Sequence, residues 1–387
     1  MSTLIKRLAV LCALGGLLVA SRQAGQWEIP DALTSLPTGI VEYGKEYLSD
    51  TAALQEPAPD AADTQGRILA AMEACQDEVV LYNISEEELT GGYSQVLAGH
   101  PELFWVVPSY SWTTTTYPGG ANKRVLKFSY SGTDAQIAQR RQELEAEVQR
   151  ILGLLDEGMS DFDKALFLHD YLVKTTQYDG DGAAELDLEP AERAHFDSAT
   201  AYGCLMDHSA VCSGYASAYQ LLLQRAGIPC GRISGQGQGE SHEWNYITLG
   251  GEDYYVDVTW DDPVTTGEIA YPLSHEYFAI TTDELLLTHT IDPDQTAPVC
   301  DATEYDYYRH SGRYLDEYTF DAVSQLVEEQ RADGAAEMKF GSPQELDRAV
   351  RDLFAGQAIF RIPSLRTSGR TVHYSVGSSG LVLRMVF

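Results

Sequence analysis

Between residues 200 and 262 the chain sets out a cysteine, a histidine and an aspartate in an order that could run nucleophilic chemistry. Cys212 stands in Ser209-Ala210-Val211-Cys212-Ser213-Gly214-Tyr215, His242 in Ser241-His242-Glu243-Trp244-Asn245, and Asp257 in Tyr255-Val256-Asp257-Val258. A thiol needs a base that holds it as thiolate and later protonates the leaving amine. That base needs a carboxylate to fix its tautomer and stabilise the imidazolium. Each residue type alone is common, and a lone cysteine more often fills space inside a helix than reacts. The order Cys, His, Asp, with a hairpin joining the last two, is much less common by chance.

These side chains need elements to hold them. Val211, Cys212, Tyr215, Ala216, Tyr219, Leu222, Leu223 and Ala226 fall on one helical face, and Gly227-Ile228-Pro229 ends the helix. With Ser209 as N-cap, Cys212 lies in the first turn, where unpaired N–H groups and the positive end of the helix dipole stabilise a thiolate. Its own backbone N–H is then the natural donor to an oxyanion. Ser241–Leu249 reads as a strand, Gly250-Gly251 as a turn and Tyr254–Trp260 as the return strand. A two-residue loop puts Asp257 opposite Trp244 and makes His242 its diagonal neighbour on the same face, at roughly 7–8 Å between backbones. A three-residue loop would separate them. Asp261 and Asp262 are rival carboxylates, but they lie beyond the strand, before Pro263.

Taken together, Val211-Cys212-Ser213-Gly214-Tyr215-Ala216, His242-Glu243-Trp244-Asn245 and Val256-Asp257-Val258-Thr259-Trp260-Asp261-Asp262 resemble the transglutaminase-like superfamily. The version here looks like the secreted bacterial branch, and Leu168-His169-Asp170-Tyr171-Leu172 leading to Tyr178-Asp179 is similar to its usual lead-in. The resemblance covers about Ser160 to Asp283 and neither flank. It implies an α+β fold with a papain-like thiol core, a helix packed on an antiparallel sheet, with small α+β flanking regions. It also implies Cys212 as nucleophile, His242 as base and acid, and Asp257 as the orienting carboxylate. The expected reaction is attack on an amide carbonyl through a thioester, with a cysteine protease or amidase as the leading reading. A protein-glutamine acyltransferase that forms cross-links and a non-catalytic surface or wall-binding module are the alternatives. Met206 stands six residues before the nucleophile, where papain-like proteases carry a glutamine, so the second oxyanion donor has no candidate. No cofactor and no metal are expected. Tyr178-Asp179-Gly180-Asp181-Gly182 starts like a calcium loop, but Ala183 and Ala184 replace a ligand and the turn glycine. His169, on an apolar helix face, reads as a satisfied core histidine.

The rest of the chain sets the context. It has 387 residues, and 26 basic against 58 acidic side chains give a net charge of −32, so nucleic acid is excluded as a partner. The expected partner is a protein or peptide substrate, cell-wall peptide included. Lys6-Arg7 before the apolar run Leu8–Ala20 reads as an export signal over residues 1–21, the run being shorter than a span of roughly 18–20 residues. An uncleaved short anchor is the fallback and would give the one membrane contact. The expected location is extracellular or at the cell surface. Six cysteines leave five once Cys12 departs with the signal, so at least one thiol is free or intermolecular, and if one is a working nucleophile the other four could form up to two disulfides. Residues 22–62 read as a linker, 63–132 as an N-terminal α+β region, 133–300 as the thiol domain with two lead-in helices, and 301–387 as a C-terminal α+β module. In that module, Ser342-Pro343-Gln344-Glu345 opens a helix and strands are expected near Met338, Ala358–Ile362, Thr371–Val376 and Leu381–Val386.

Overall fold

A computed structural model describes residues 64–186, 188, 192–262, 273–366 and 371–387. The expected export signal and linker lie outside the described residues. The N-terminal layer runs α1 (Thr64–Glu73), β1 (Glu78–Tyr82), α2 (Glu86–Gly99), β2 (Ser111–Thr116) and β3 (Asn122–Lys127), with an antiparallel sheet of order β1-β3-β2. Ser85 and Glu88 form the capping box that opens α2. The β2–β3 hairpin starts at Ser111; Phe104 and Trp105 before it are spent on the core, where the Trp105 indole donates to the Met72 carbonyl at 3.2 Å. Helices α3 (Asp134–Leu152) and α4 (Asp161–Thr175) follow, each with a capping box, through Thr133 with Gln136 and Ser160 with Asp163.

The short strands β4 (Gln177–Tyr178) and β5 (Ser209–Ala210) pair in parallel, with the one-and-a-half-turn α5 (Gly180–Glu185) capped by Asp179 between them. Helix α6 (Cys212–Arg225) is buried without a break from Cys212 to Leu223, so the expected single apolar face is in fact a helix enclosed on every side. It packs between α4 and a five-stranded antiparallel sheet of order β10-β6-β7-β8-β9. The strands are β6 (Cys230–Gly237), β7 (Glu240–Leu249), β8 (Glu252–Val256), β9 (Phe278–Ile280) and β10 (His289–Ile291). Asn245 pairs with Val256 and Leu249 with Glu252, which makes Gly250-Gly251 the two-residue loop. Both glycines have positive φ, +62° and +92°, as a primed hairpin turn requires.

The return strand departs from expectation at its end. It stops at Val256, and Asp257 instead caps the one-turn helix α7 (Val258–Asp261), accepting from the Trp260 N–H at 3.1 Å. Short polar side chains favour caps over strand interiors. A second short helix, α8 (Thr282–Leu285), precedes β10.

One apolar core runs from Ile68 through Ala279, shared by the N-terminal layer and the thiol region, and a second runs from Tyr318 through Met385. The C-terminal region holds α9 (Tyr307–His310), β11 (Tyr314–Leu315), α10 (Phe320–Gln330), β12 (Ala335–Phe340), α11 (Pro343–Val350), β13 (His373–Val376) and β14 (Val382–Val386). Its sheet order is β11-β12-β14-β13, and Ser342 caps α11 as its sequence predicts. Ala358–Ile362 is not a strand. Gln357 at φ +57° and Pro363 bracket a 3-10 turn over Ala358–Arg361. Cys75, Cys204, Cys212, Cys230 and Cys300 are all free thiols, so none of the up to two disulfides that four of them could form is made. They lie in separate surroundings: Cys204 against Thr176, Cys230 against the Gln220 carbonyl, Cys300 in a different apolar cluster. Among the described residues no helix is long and apolar enough to cross a membrane.

Candidate active site

Cys212 is the first residue of α6, and its N-cap is Val211, which offers no side-chain cap. Ser209, the expected cap, is committed to β5. The Gly214 N–H is taken by the Val211 carbonyl at 2.9 Å, while the N–H groups of Cys212 and Ser213 precede the first intrahelical acceptor. The thiol itself is nearly covered, with Cys212 6% exposed. From β7, His242 reaches the cap of α7: its Nε2 lies 2.7 Å from Asp257 Oδ2. The Cys212 side chain interacts with the same imidazole, whose Nδ1 is the nitrogen that Asp257 leaves open. Burial pulls the His242 pKa down, but the Asp257 carboxylate and the Cys212 thiol more than reverse this and hold it up at about 10. Asp257 is buried, which alone would raise its pKa; His242 and then His289 hold it well below the usual carboxylate range. The structure thus brings the three expected residues together, although Asp257 arrives by helix capping and not from a strand.

The rival carboxylates have other partners. Asp262 accepts from the Tyr215 hydroxyl at 2.6 Å. Asp261 accepts from the Tyr277 N–H at 3.1 Å and lies 3.2 Å from Nε2 of His169, which is fully buried as its apolar helix face suggests. Asn245 ties the sheet to the nucleophile helix, donating to the carbonyls of Ala216 at 3.0 Å and Gly231 at 3.3 Å.

Two residues escaped the sequence reading. His289, on the edge strand β10, places its Nε2 3.1 Å from the same Asp257 Oδ2 that meets His242. Its Nδ1 meets Thr288 Oγ1 at 2.9 Å, and that hydroxyl meets the Tyr277 hydroxyl at 3.0 Å. Nothing in Leu287-Thr288-His289-Thr290 signals a site; only the pairing of β10 with β6 brings this histidine in. The second is Tyr178, 41% exposed at the end of β4. Burial of its phenol, followed by the charges of Cys212, Asp179 and Asp257, raises its pKa to about 12, so it stays a neutral hydroxyl beside the thiol. The pairing of Tyr178 with Ala210 and the bond from the Asp179 N–H to the Ala210 carbonyl fix it there. Beside this entrance a polar cleft of about 580 Å³ opens between the N-terminal layer and the thiol region, bordered by Ser129, Ser131, Arg140, Asp179, Asp207 and Ser209.

Residues 151–260 match the family model described as the transglutaminase-like superfamily. The matched segment holds Cys212, His242 and Asp257. Among solved structures the chain is similar to one described as a TGase, at 12% identity over 52% of this chain and 56% of that one, with a TM-score of 0.28. It is also similar to a protein described provisionally as a cysteine protease from Cytophaga hutchinsonii, at 11% identity over 47% of this chain and 65% of that one, TM-score 0.23. A third, described provisionally as a protease from Parabacteroides distasonis, is 10% identical over 38% of this chain and 40% of that one, TM-score 0.22. The chain therefore matches less than two thirds of the length of each. No curated protein matches it.

Proposed function

We propose that the protein is an exported thiol hydrolase, a cysteine peptidase or amidase acting on protein or peptide amides, cell-wall peptide included. The observation that carries the reading is His242, held between the Cys212 thiol on one side and Asp257 Oδ2 at 2.7 Å on the other. In this arrangement the thiolate attacks the amide carbonyl, and the oxyanion that forms is met by the Cys212 N–H at the helix start. The His242 imidazolium gives its proton to the leaving amine, and the thioester remains. Water, losing a proton to His242, then releases the acid. Asp257 keeps the imidazole in the tautomer that both half-reactions need.

The test is the rate of Cys212 alkylation against pH, followed by mass spectrometry, in the wild type and in His242→Ala. Fast labelling at pH 6 that collapses in the variant is expected. Slow labelling with an ordinary thiol profile in both would leave a non-catalytic module as the better reading. Glutamine-containing peptide with and without a lysine analogue separates the two enzyme readings, because amine incorporated at the expense of acid would mean cross-linking.

A further inference from the structure

A second buried cluster takes no part in that mechanism. His169 and Asp170 are consecutive on α4, and His275 folds onto them from the approach to β9. Asp170 Oδ1 lies 3.2 Å from His169 Nδ1 and 3.0 Å from His275 Nε2, and the three atoms lie within 4.8 Å of one another. The far nitrogen of each ring meets another buried carboxylate. His169 Nε2 is 3.2 Å from Asp261 Oδ2, and His275 Nδ1 is 3.2 Å from Glu337 Oε1. A neutral imidazole has one proton for two carboxylates, so on each ring one lone pair must face a carboxylate oxygen. Each such contact is repulsive unless positive charge lies in it. Two further protons would supply that charge, and so would one divalent cation.

We propose that His169 Nδ1, Asp170 Oδ1 and His275 Nε2 form a metal site for a divalent ion of the zinc class. The two spacings to Asp170 Oδ1, 3.2 and 3.0 Å, suit it, since ligand atoms at about 2.0–2.1 Å from a tetrahedral ion lie about 3.3 Å apart, and the two ring nitrogens lie within 4.8 Å of each other. The donor set suits it as well, because imidazole with carboxylate is a zinc-type set, and Asp261 and Glu337 supply the carboxylates that orient metal-bound histidines. Asp170 is 23% exposed on its side chain, which gives the ion an entrance and a place for a water, while His169 is fully enclosed. The surrounding charges are Lys174 on Asp170 Oδ2 at 2.9 Å and Arg313 on Glu337 at 3.4 Å, so three carboxylates converge with room for further positive charge. Glu337 lies on β12, so the ion would pin α4 to the C-terminal sheet. Without it, burial pulls both imidazole pKa values down, but the carboxylates more than reverse this and raise His169, and His275 to about 9. Metal binding therefore competes with protons at both rings.

The test uses the full chain carrying Cys212→Ala, which removes the competing thiolate, stripped with chelator and titrated with Co²⁺. One equivalent should bind, with the visible absorption of a four-coordinate site. Asp170→Asn in that background should weaken binding by more than the ~10–100-fold typical of losing an outer-shell partner. His289→Gln, which touches only the catalytic cluster, should leave binding intact. No Co²⁺ bound by the folded protein, or equal binding after Asp170→Asn, would overturn the proposal. Should Asp170→Asn not fold, imidazole nitrogen NMR of the parent decides. With Zn²⁺ added, neutral metal-bound rings at His169 and His275 support the site, and rings that stay doubly protonated refute it.

Discussion

One oxygen, Asp257 Oδ2, serves two imidazoles, at 2.7 Å from His242 and 3.1 Å from His289. The first partner transmits the carboxylate's charge to the nucleophile. The second fixes where the carboxylate points and withdraws some of its basicity. Asp257→Asn keeps the shape but offers the wrong tautomer to His242, and by analogy with other triads kcat should fall by ~10⁴-fold. His289→Ala should cost less, ~10–100-fold in kcat/KM, carried by kcat. The pH profile separates this from a purely structural defect. Without His289 the carboxylate is more basic, so the alkaline limb of Cys212 alkylation should move to higher pH. An unchanged limb would reduce His289 to packing.

The elements that deliver these residues were legible to different degrees. Helix caps were plain, since Ser85, Ser160 and Ser342 each precede an acceptor three residues on, and the Gly250-Gly251 turn fixed the hairpin register. Strand β6 was not, because Gly231, Gly235 and Gly237 depress its β-propensity, yet the close packing of its neighbours depends on them. A Cβ at Gly235 would collide with the Thr290 carbonyl and lie 2.7 Å from the Trp244 ring. Gly235→Ala should therefore part β10 from β6, at a cost of about 1–3 kcal/mol, and lower activity together with stability as His289 is displaced. Urea midpoints and kcat measured on one preparation check this. The proximity of Cys212, His242 and Asp257, the proposed triad, was readable because two motifs sit on one hairpin. His289 and His275 were not, because their partners lie on elements far away in sequence, and a three-residue strand or a loop carries no periodic signal. Asp257 was placed correctly for an incomplete reason: parity put it near His242, while its capping of α7 is what aims the carboxylate.

At the scale of the whole molecule, the C-terminal sheet is joined to the thiol region by buried charge. Lys339 on β12 meets Asp306 at 2.6 Å and Glu284 at 2.8 Å, and Arg384 on β14 meets Glu276 at 3.1 Å. Lys339→Met would strand the buried Asp306, and a loss of about 3–5 kcal/mol in unfolding free energy is expected by denaturant titration. His275 adds a pH dependence. Its folded pKa, raised to about 9, lies above the ~6.5 of an unfolded histidine, so its contribution is complete below about pH 6.5 and is lost as pH rises through 9. Metal-free protein should therefore lose stability across that window, and His275→Gln should flatten the slope. The described tryptophans divide in the same way as the molecule. Trp105 and Trp112 belong to the N-terminal layer, whereas Trp260 lies 4.4 Å from the His289 ring and 5.6 Å from that of His242, with Trp244 stacked 5.9 Å from His242. A protonated imidazole quenches an adjacent indole, so part of the protein's intrinsic fluorescence should brighten as the site gives up its protons, an optical record of the charge state of the unlabelled protein.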